Sequence, residues 1–402
     1  MSTSSRAPVS DADPYDLEIL ADPSTFHRHL RETGPVVYLE RYGVYAMGRF
    51  DHVSAALTDW QSYQSSAGVG IANFRFEKPI RPPSPLLEAD PPRHDAPRLV
   101  LSKILGAPAV QQLRASWSIA AEGLVDELLS DSTEFDGIDA LSNALPLKIF
   151  ADEIGIPDTG REHLLPLGDF VFNSVGPLDS ALMKASAQKV HEAGSVEWTM
   201  AHCRRENLTD NGFGAQVWSA ADRGDITEQQ APILVRSLLS AGFDTTASGL
   251  AAVLYALASH PEQWMRLRDD PTRARTAFDE AIRWDSPVQT FHRTATRDMS
   301  IDGTDVPDGA KVLLSLGAAN HDPRRWDSPD SYDLTRDPSG HVGFGMGIHR
   351  CVGQHVARLE AEVLLTALAA RISTISLAGE TERHLNNTMR SWKSLPLRVS
   401  LR

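Results

Sequence analysis

Cysteine is scarce in this chain, with only Cys203 and Cys351 among 402 residues. Two cysteines cannot build the several bridges that hold a small secreted domain together, so the composition fits the reducing cytoplasm. A single cysteine also cannot make a zinc or iron–sulfur site, because such sites need several ligands. The sequence therefore predicts a cytoplasmic protein without a disulfide framework, in which a metal-binding cysteine would act alone.

Long apolar runs and excess positive charge are lacking as well. No uninterrupted apolar stretch reaches the roughly 18–20 residues that span a bilayer, and the polar N-terminus has no signal-peptide core. The formal net charge is −14, which disfavours binding to nucleic acid or to an anionic membrane. We expect neither a nucleic acid nor a membrane among the partners.

Linkers, repeats and low-complexity segments are absent between Leu17 and Leu401. A chain of this length would ordinarily suggest two or three domains, yet nothing in the sequence marks a boundary. The first dozen residues are polar. The sequence predicts a flexible N-terminus over residues 1–15 and one domain over residues 16–402.

The most informative stretch runs from His341 to Gly353 and reads HVGFGMGIHRCVG, with the spacing F-G-x-G-x-H-x-C-x-G around Cys351. A lone cysteine is more often a small buried hydrophobe than a ligand. Here Gly345 and Gly347 would let the backbone lie close to a flat ligand. An apolar-periodic helix follows Cys351, and its N-terminus would lower the thiol pKa and favour the thiolate. One thiolate can hold heme iron.

This stretch resembles the heme-binding loop of the soluble bacterial cytochromes P-450, and the resemblance spans nearly the whole chain. It implies a mainly α fold, a large helical domain with small β-sheets, and heme b with an axial cysteine thiolate. His94 and Arg98 stand at i, i+4, which by itself is typical of a solvated helix face. In the family this pair binds the heme propionates. The resemblance assigns heme contacts to His94, Arg98, Arg293, Phe344, Gly345, His349, Cys351 and Gly353.

A second family feature is the pair Glu280 and Arg283, which stands about 70 residues before the cysteine. Such i, i+3 pairs are common on helix surfaces and carry little information alone. As E-x-x-R they resemble the buried structural ion pair of the family, and Arg336 resembles its third partner. The resemblance implies a role in folding and in support of the heme loop, without a chemical step.

Residues 227–259 predict a long apolar helix interrupted by Asp244 and Thr245. Thr227 and Gln230 have the spacing of a capping box. A buried carboxylate is costly unless it is paired, although a packing face with a satisfied aspartate would also explain the pattern. The family pattern A-G-x-D-T falls here and implies that Asp244 relays protons, that the Thr245 hydroxyl bonds a carbonyl one turn back, and that Gly242 leaves room for dioxygen.

Four polar residues point to a carboxylate substrate. Arg81 and Ser84 lie in a proline-rich loop, and Arg236 and Ser237 lie about two turns before Asp244, so that Ser237 and Thr245 are roughly 12 Å apart along the helix. Arginine in a closed pocket suits carboxylate recognition, although a surface cation or a helix ion pair would also explain each arginine. The flanking stretches resemble a branch that oxidises para-substituted benzoates, usually by O-demethylation of 4-methoxybenzoate.

The resemblance places the pocket walls at five apolar residues and identifies one departure. From the sequence alone, plain core packing is the better reading of Phe172 and Val175. The branch often has a second aromatic residue where this chain has Val175, which would widen the pocket. The predicted walls are Leu87, Phe172, Ala241, Val288 and Phe291.

Oxidation with dioxygen needs electrons, and the chain has no flavin or nicotinamide domain. The implied partners are an iron–sulfur ferredoxin and its NAD(P)H reductase, which would dock on the cations Arg93, Lys103, Arg350 and Arg358. Two alternatives stay open: a P-450 hydroxylase of a terpene, fatty acid or macrolide, and a non-catalytic heme sensor. The first has little use for four polar pocket residues, and the second has no need of Asp244 and Thr245.

Overall fold

The computed structural model describes residues 6–402. The apolar-periodic stretches of the sequence form helices in it. The predicted mainly α architecture with small sheets is confirmed. No helix within the described part is long and apolar enough to cross a membrane. The helices are α1 (Leu17–Ala21), α2 (Ser24–Thr33), α3 (Phe50–Thr58), α4 (Asp95–Ile104), α5 (Ala107–Gln111), α6 (Arg114–Asp131), α7 (Ala144–Ile154), α8 (Leu164–Asn173), α9 (Ala181–Ala193), α10 (Ser195–His202), α11 (Phe213–Asp222), α12 (Gln230–Ala241), α13 (Asp244–Ser259), α14 (Pro261–Asp269), α15 (Ala274–Trp284), α16 (Leu316–Asn320) and α17 (Gln354–Arg371).

The strands form small sheets at the edges of the helical body. The largest sheet has the order β1-β2-β3-β9-β6-β4, and β10-β13-β5 forms a second one. Two hairpins, β7-β8 and β11-β12, complete the set within residues 6–402. The strands are β1 (Val9–Ser10), β2 (Val37–Leu39), β3 (Val44–Met47), β4 (Tyr63–Gln64), β5 (Glu134–Asp136), β6 (Thr290–Ala295), β7 (Met299–Ile301), β8 (Thr304–Val306), β9 (Lys311–Ser315), β10 (Ile372–Leu377), β11 (Glu382–Leu385), β12 (Arg390–Ser394) and β13 (Pro396–Leu401).

Helix α13 forms the centre of the core, and twelve of its sixteen residues are buried. It packs on α15 and on strands β10 and β12, while α17 packs on α6 and α15. A helix that is apolar on all sides is stable only when other elements surround it. This central position holds the first turn of α13 against the cavity described below.

Part of the predicted flexible N-terminus is held by hydrogen bonds. Residues 1–5 lie outside the described part of the chain. Val9 and Ser10 pair in parallel with Tyr38 and Leu39, and the Tyr42 hydroxyl donates to Asp13 at 2.8 Å. Val9 and Ser10 therefore have strand partners that the sequence did not indicate, while the flexibility of residues 1–15 stays a prediction.

A buried ion network ties α15 to the segment before the cysteine. The Arg283 guanidinium donates Nε to Glu280 Oε2 at 2.8 Å and Nη2 to Oε1 at 2.9 Å, and both side chains are fully buried. Arg336 Nε donates to Glu280 Oε1 at 3.0 Å. Arg283 Nη1 also reaches the Asn320 carbonyl at 2.9 Å, while Asn320 Oδ1 accepts from the Val342 amide at 2.9 Å. The network thus extends to the start of the cysteine loop.

Candidate functional site

A cavity of about 680 Å³ lies between α8, α12, α13, the loop around residues 80–87 and the cysteine loop. Most of its lining is apolar, and it brings together nearly all of the residues predicted for the site. His94 and Asp244 are the two predicted residues that do not line it. The predicted residues on its wall are Arg81, Ser84, Leu87, Arg98, Phe172, Val175, Arg236, Ser237, Ala241, Thr245, Val288, Phe291, Arg293, Phe344, Gly345, His349, Cys351 and Gly353.

The cysteine loop is fixed by backbone bonds and by two glycines with left-handed conformation. The Cys351 amide donates to the Phe344 carbonyl at 2.8 Å. Gly345 and Gly347 have φ values of 66° and 65°, which side chains rarely adopt. A Cβ on Gly347 would also lie 2.6 Å from the Leu57 carbonyl oxygen of α3. The loop therefore presents the Cys351 thiol to the cavity with little freedom to move.

The protein groups around Cys351 do not lower the pKa of its thiol, so the prediction of a lowered pKa is wrong. Burial raises the pKa of the Cys351 thiol, while the Gly353 amide and the guanidinium groups of Arg98, Arg358 and Arg350 oppose that shift. Helix α17 begins only at Gln354, so its N-terminal dipole does not dominate. Because a thiol that coordinates a metal ion is deprotonated outright, the iron itself is what would stabilise the thiolate here.

A buried cation and two unpartnered imidazole nitrogens near the loop fit a flat group with negative charges. The Nε2 atoms of His94 and His349 are buried without a hydrogen-bond partner, and the two rings lie 4.7 Å apart. Arg293 is buried, and its Nη1 donates to the His292 carbonyl at 2.9 Å. A Cβ on Gly353 would meet no protein atom within 4 Å. These residues therefore fit the propionates and the face of a heme.

Burial lowers the pKa of Arg293 to about 10, while the Asp90 carboxylate opposes this shift. His349 Nε2 lies 3.6 Å from Asp90 Oδ1, which is long for a hydrogen bond. Burial by itself would raise the pKa of Asp90. The neighbouring His349 and the hydrogen bonds from Ser65 and Ser66 outweigh burial and hold this pKa below its ordinary value. A buried guanidinium needs an anionic partner. Asp90 acts on Arg293 through its charge without forming an ion pair with it, so Arg293 is still able to bind a further anion.

The predicted opening of the long helix is confirmed. The helix divides into α12 and α13 at Gly242 and Phe243, and Thr245 Oγ1 donates to the Ala241 carbonyl at 2.7 Å. Gly242 lines the cavity, and a Cβ there would lie 2.2 Å from Phe150 Cε1. That Gly242 leaves room for dioxygen stays a prediction. Gly242 admits the Phe150 ring, and the hydroxyl of Thr245 accounts for the break.

Asp244 faces away from the cavity, towards α8. A Cβ on Gly168 would lie 2.6 Å from Asp244 Cβ, so the side chain packs closely on that helix. Burial, followed by the neighbouring Asp169 carboxylate, raises the pKa of Asp244 to about 7, whereas His384 and Lys189 act in the opposite direction.

Three residues that carried no sequence signal, Asp169, His384 and Asn386, form a cluster beside Asp244. His384 Nε2 lies 2.7 Å from Asp169 Oδ1, and Asn386 Nδ2 donates to the same oxygen at 2.8 Å. The His384 side chain is 39% exposed. The cluster thus leads from solvent towards Asp244, and no sequence signal could link positions so far apart.

The two substrate arginines meet at one end of the cavity. Arg236 Nη2 donates to the Pro82 carbonyl at 3.2 Å, and Arg81 Nη1 lies 3.4 Å from the same oxygen. Burial, followed by the charge of Arg81, lowers the pKa of Arg236. We call the group formed by Arg81, Ser84 and Arg236 the basic end of the cavity.

The two serines predicted beside these arginines have different hydrogen-bond roles. Ser84 Oγ accepts from the amides of Leu86 and Leu87 at 3.3 and 3.1 Å, which leaves its hydroxyl free to donate. Ser237 Oγ already donates to the Ile233 carbonyl at 2.9 Å. Of the two, Ser84 is therefore the better donor to a carboxylate. The sequence analysis also missed Glu88, whose buried carboxylate binds Arg81.

The cations expected on the thiolate side are only partly exposed. Arg93, Lys103 and Arg350 lie at the surface. Arg358 is buried and donates Nε to Asp279 Oδ1 at 2.8 Å and Nη1 to Gln354 Oε1 at 2.6 Å. The prediction that Arg358 is a surface docking residue is wrong, because its guanidinium lies inside α17's contact with α15 and packs on the Phe344 ring.

Comparison with known proteins gives one consistent family. A family model described as Cytochrome P450 matches residues 180–398. The chain is 49% identical to cytochrome p450 CYP199A2 of Rhodopseudomonas palustris, over 96% of this chain and 93% of that protein. It is 29% identical to the cytochrome P450 monooxygenase PikC of Streptomyces venezuelae, over 98% and 95% of the two chains. The structure of cytochrome P450 CYP109Q5 from Chondromyces apiculatus matches with a TM-score of 0.81 at 29% identity and covers 97% of this chain and 98% of that chain. The chain therefore belongs to the cytochrome P450 family of heme-thiolate monooxygenases, in which a cysteine thiolate is the axial ligand of heme b.

Proposed function

We propose that the enzyme catalyses oxidative O-demethylation, or O-dealkylation, of para-substituted benzoates such as 4-methoxybenzoate. The observation that carries this proposal is the meeting of Arg81 and Arg236 at the Pro82 carbonyl, at one end of an otherwise apolar cavity. Two guanidinium groups in a partly desolvated pocket favour a carboxylate. Glu88 pairs with Arg81, so a neutral terpene or macrolide would leave Arg236 without an anionic partner.

The basic end would hold the substrate carboxylate, and the apolar walls would hold its ring. Arg236 offers donors beyond its bond to Pro82, and the Ser84 hydroxyl can donate as well. Phe172, Val288 and Phe291 line the same cavity as the basic end and Thr245. In this proposal a benzoate held at the basic end directs its para substituent towards Thr245, which lies on the wall of the same cavity. Val175 leaves room for substituents longer than methoxy.

Heme supplies the oxidation when bound, using dioxygen and two electrons to hydroxylate the ether carbon. The hydroxylated ether would then break at its carbon–oxygen bond to give 4-hydroxybenzoate and an aldehyde. In our proposal the Cys351 thiolate is the axial ligand. His94, Arg98, Arg293 and His349 would neutralise the propionates, while Phe344, Gly345 and Gly353 would flank the macrocycle.

Asp244 and Thr245 would deliver the protons that this reaction consumes. Thr245 lies on the cavity wall, and its hydroxyl bonds Ala241. Asp244 lies behind it with a pKa raised to about 7, which suits a group that gives and regains a proton near neutral pH. Asp169 and the partly exposed His384 lie on the solvent side of Asp244 and would return the proton to it.

Substrate binding tests the proposal directly. We expect 4-methoxybenzoate to shift the heme spin state and to yield 4-hydroxybenzoate, whereas its methyl ester should bind at least tenfold more weakly. Loss of a charge-assisted hydrogen bond costs about 1.5–3 kcal/mol, so Arg236→Leu should weaken binding of the acid by roughly 10–100-fold. The measurement is a spectral titration followed by product analysis.

The matched control is Arg223→Leu, which removes an exposed arginine paired with Asp225 outside the cavity. This variant should bind 4-methoxybenzoate as the unchanged enzyme does. Equal affinity for acid and ester, or a spin shift only with terpenes, fatty acids or macrolides, would exclude the benzoate proposal.

We also propose that a ferredoxin, reduced by its NAD(P)H reductase, supplies the electrons. Arg93, Lys103 and Arg350 are exposed beside the cysteine loop and could attract an acidic partner. The double variant Arg93→Glu, Lys103→Glu should slow reduction by ferredoxin about tenfold at low salt and leave the affinity for 4-methoxybenzoate unchanged. Arg204→Glu, on an exposed loop before α11, is the control. An unaltered reduction rate in stopped-flow measurements would rule out this docking site.

A further inference from the structure

A buried carboxylate lies inside the basic end of the cavity. The Glu88 side chain is 3% exposed, and its two oxygens accept from Arg81 Nη2 at 3.0 Å and Nη1 at 2.8 Å. Oε2 also accepts from the Ser84 amide at 2.9 Å. The Glu88 carboxylate would repel a substrate carboxylate bound beside it. Its presence therefore needs an explanation in what Glu88 contributes to the site.

Glu88 fixes the geometry of both Arg81 and Ser84. A two-pronged bond to a carboxylate holds the plane of a guanidinium more firmly than a single bond does. The Glu88 amide also donates to the Ser84 carbonyl at 3.0 Å, which closes a turn whose other amides are bonded to Ser84 Oγ. Two of the three groups of the basic end are therefore positioned before any substrate arrives.

Glu88 also determines the charge of the basic end. Arg81 and Arg236 both approach the Pro82 carbonyl, so two like charges lie close together in a partly buried place. The Glu88 carboxylate, which lies behind Arg81, offsets one of them, and no aspartate or glutamate lines the cavity wall itself within residues 6–402. Two cations and one anion leave one net positive charge, which a singly charged ligand neutralises and a doubly charged ligand exceeds.

We propose that Glu88 is a positioning residue that makes the site selective for charge: by holding Arg81 and limiting the basic end to one net positive charge, it admits singly charged aromatic acids and disfavours doubly charged ones. This inference rests on the proposed function, because it requires that the substrate carboxylate binds at Arg81 and Arg236. It assigns to Glu88 no contact with the substrate.

The test compares two probes in calorimetric titrations of the holoenzyme. 4-Methoxybenzoate carries one negative charge at pH 7.5, and 4-methoxyphenyl phosphate carries close to two, since its second pKa is about 6. Glu88→Gln removes the charge and keeps an oxygen that can accept from Ser84. We expect the ratio of the two dissociation constants, phosphate over benzoate, to fall at least tenfold in Glu88→Gln. Glu88→Asp retains the charge, so it should keep the unchanged enzyme's ratio while weakening both ligands.

A second measurement uses only the unchanged enzyme, so a folding defect in a variant cannot affect its result. In the unchanged enzyme, affinity for 4-methoxyphenyl phosphate should fall about tenfold as pH rises from 5 to 7.5 and the ligand becomes a dianion, while affinity for 4-methoxybenzoate stays level. The titratable and charged groups around the basic end are Arg81, Arg236, Glu88, Cys203 and Lys311. Burial raises the pKa of the Cys203 thiol to about 12, and burial followed by the charge of Arg293 lowers the pKa of Lys311, which interacts with Glu88, to about 7. Loss of the Lys311 charge would weaken both ligands, so the titration with 4-methoxybenzoate over the same pH range is the control for it.

The outcomes separate the two proposals. If the unchanged enzyme binds neither probe, the proposed function fails. If it binds 4-methoxybenzoate but Glu88→Gln leaves the ratio of dissociation constants unchanged, or the phosphate affinity does not depend on pH, the role of Glu88 is overturned while the benzoate proposal stands.

Discussion

Arg283→Leu is expected to lower the free energy of unfolding by roughly 3–5 kcal/mol, a large part of the stability of an ordinary domain. The substitution leaves the Glu280 carboxylate fully buried, with Arg336 as its remaining cation. It also removes donors from the carbonyls of Asn320, Pro329 and Ser331. Because this network reaches the cysteine loop through Asn320, heme retention should fall together with stability. Urea unfolding followed by tryptophan fluorescence, with heme content measured in parallel, tests the expectation.

Arg273→Leu is the matched control for this measurement. Arg273 pairs with Asp270 at i, i+3 as well, but both side chains are about half exposed, at 43% and 46%. Exposed pairs contribute about 0–1 kcal/mol, so the control should unfold nearly as the unchanged protein does. Equal stabilities of the two variants would contradict the assigned role of the buried pair. Arg283→Lys should also be strongly destabilised, since an ammonium group cannot form the two-pronged bond.

The second large effect is expected for Asp244→Asn. A positioned acid contributes about 10²–10⁴-fold to a reaction that consumes protons, so turnover of 4-methoxybenzoate should fall by roughly 10²-fold. The pKa of Asp244 is raised to about 7, so its carboxyl group holds a proton below that pH and loses it above. Turnover of the unchanged enzyme should therefore decline as pH rises through about 7, and the slow turnover of the variant should lack that decline. The test is to measure turnover rates of 4-methoxybenzoate between pH 5.5 and 8.5 while electrons are supplied to the enzyme at a constant rate.

Binding and stability separate a proton-transfer role from structural damage. Asp244 does not line the cavity, so the affinity for 4-methoxybenzoate should not change. The folded state keeps the proton that the unfolded chain loses near its ordinary pKa of 3.8. The resulting stability is fully present below that pH and is lost as pH rises through about 7. Asp244→Asn should remove this dependence, while Asp179→Asn, at an exposed position, should leave both stability and turnover unaltered. A variant with normal turnover would contradict the relay.

Local sequence patterns predicted the elements that carry the chemistry better than their surroundings. The capping box at Thr227 is confirmed by reciprocal bonds with Gln230 at 2.8 and 3.3 Å, and the bond from Thr245 to Ala241 was predictable from their spacing. Such bonds join residues three or four apart. The expectation for Arg358 failed, because Asp279, its partner in the fold, is distant in the chain.

Sequence alone determined the family, the candidate axial cysteine, the helix that opens at Thr245 and the residue types available for a carboxylate. These features depend on spacing within one segment or on residue chemistry. The tertiary structure decided which donors are free: Ser84 rather than Ser237, and Arg93 or Lys103 rather than Arg358. It also placed His384 and Asp169 beside Asp244 and Glu88 against Arg81. Burial, charge neighbourhood and hydrogen-bond saturation arise only when separate segments pack together, and they set the pKa of Asp244 and the net charge of the basic end.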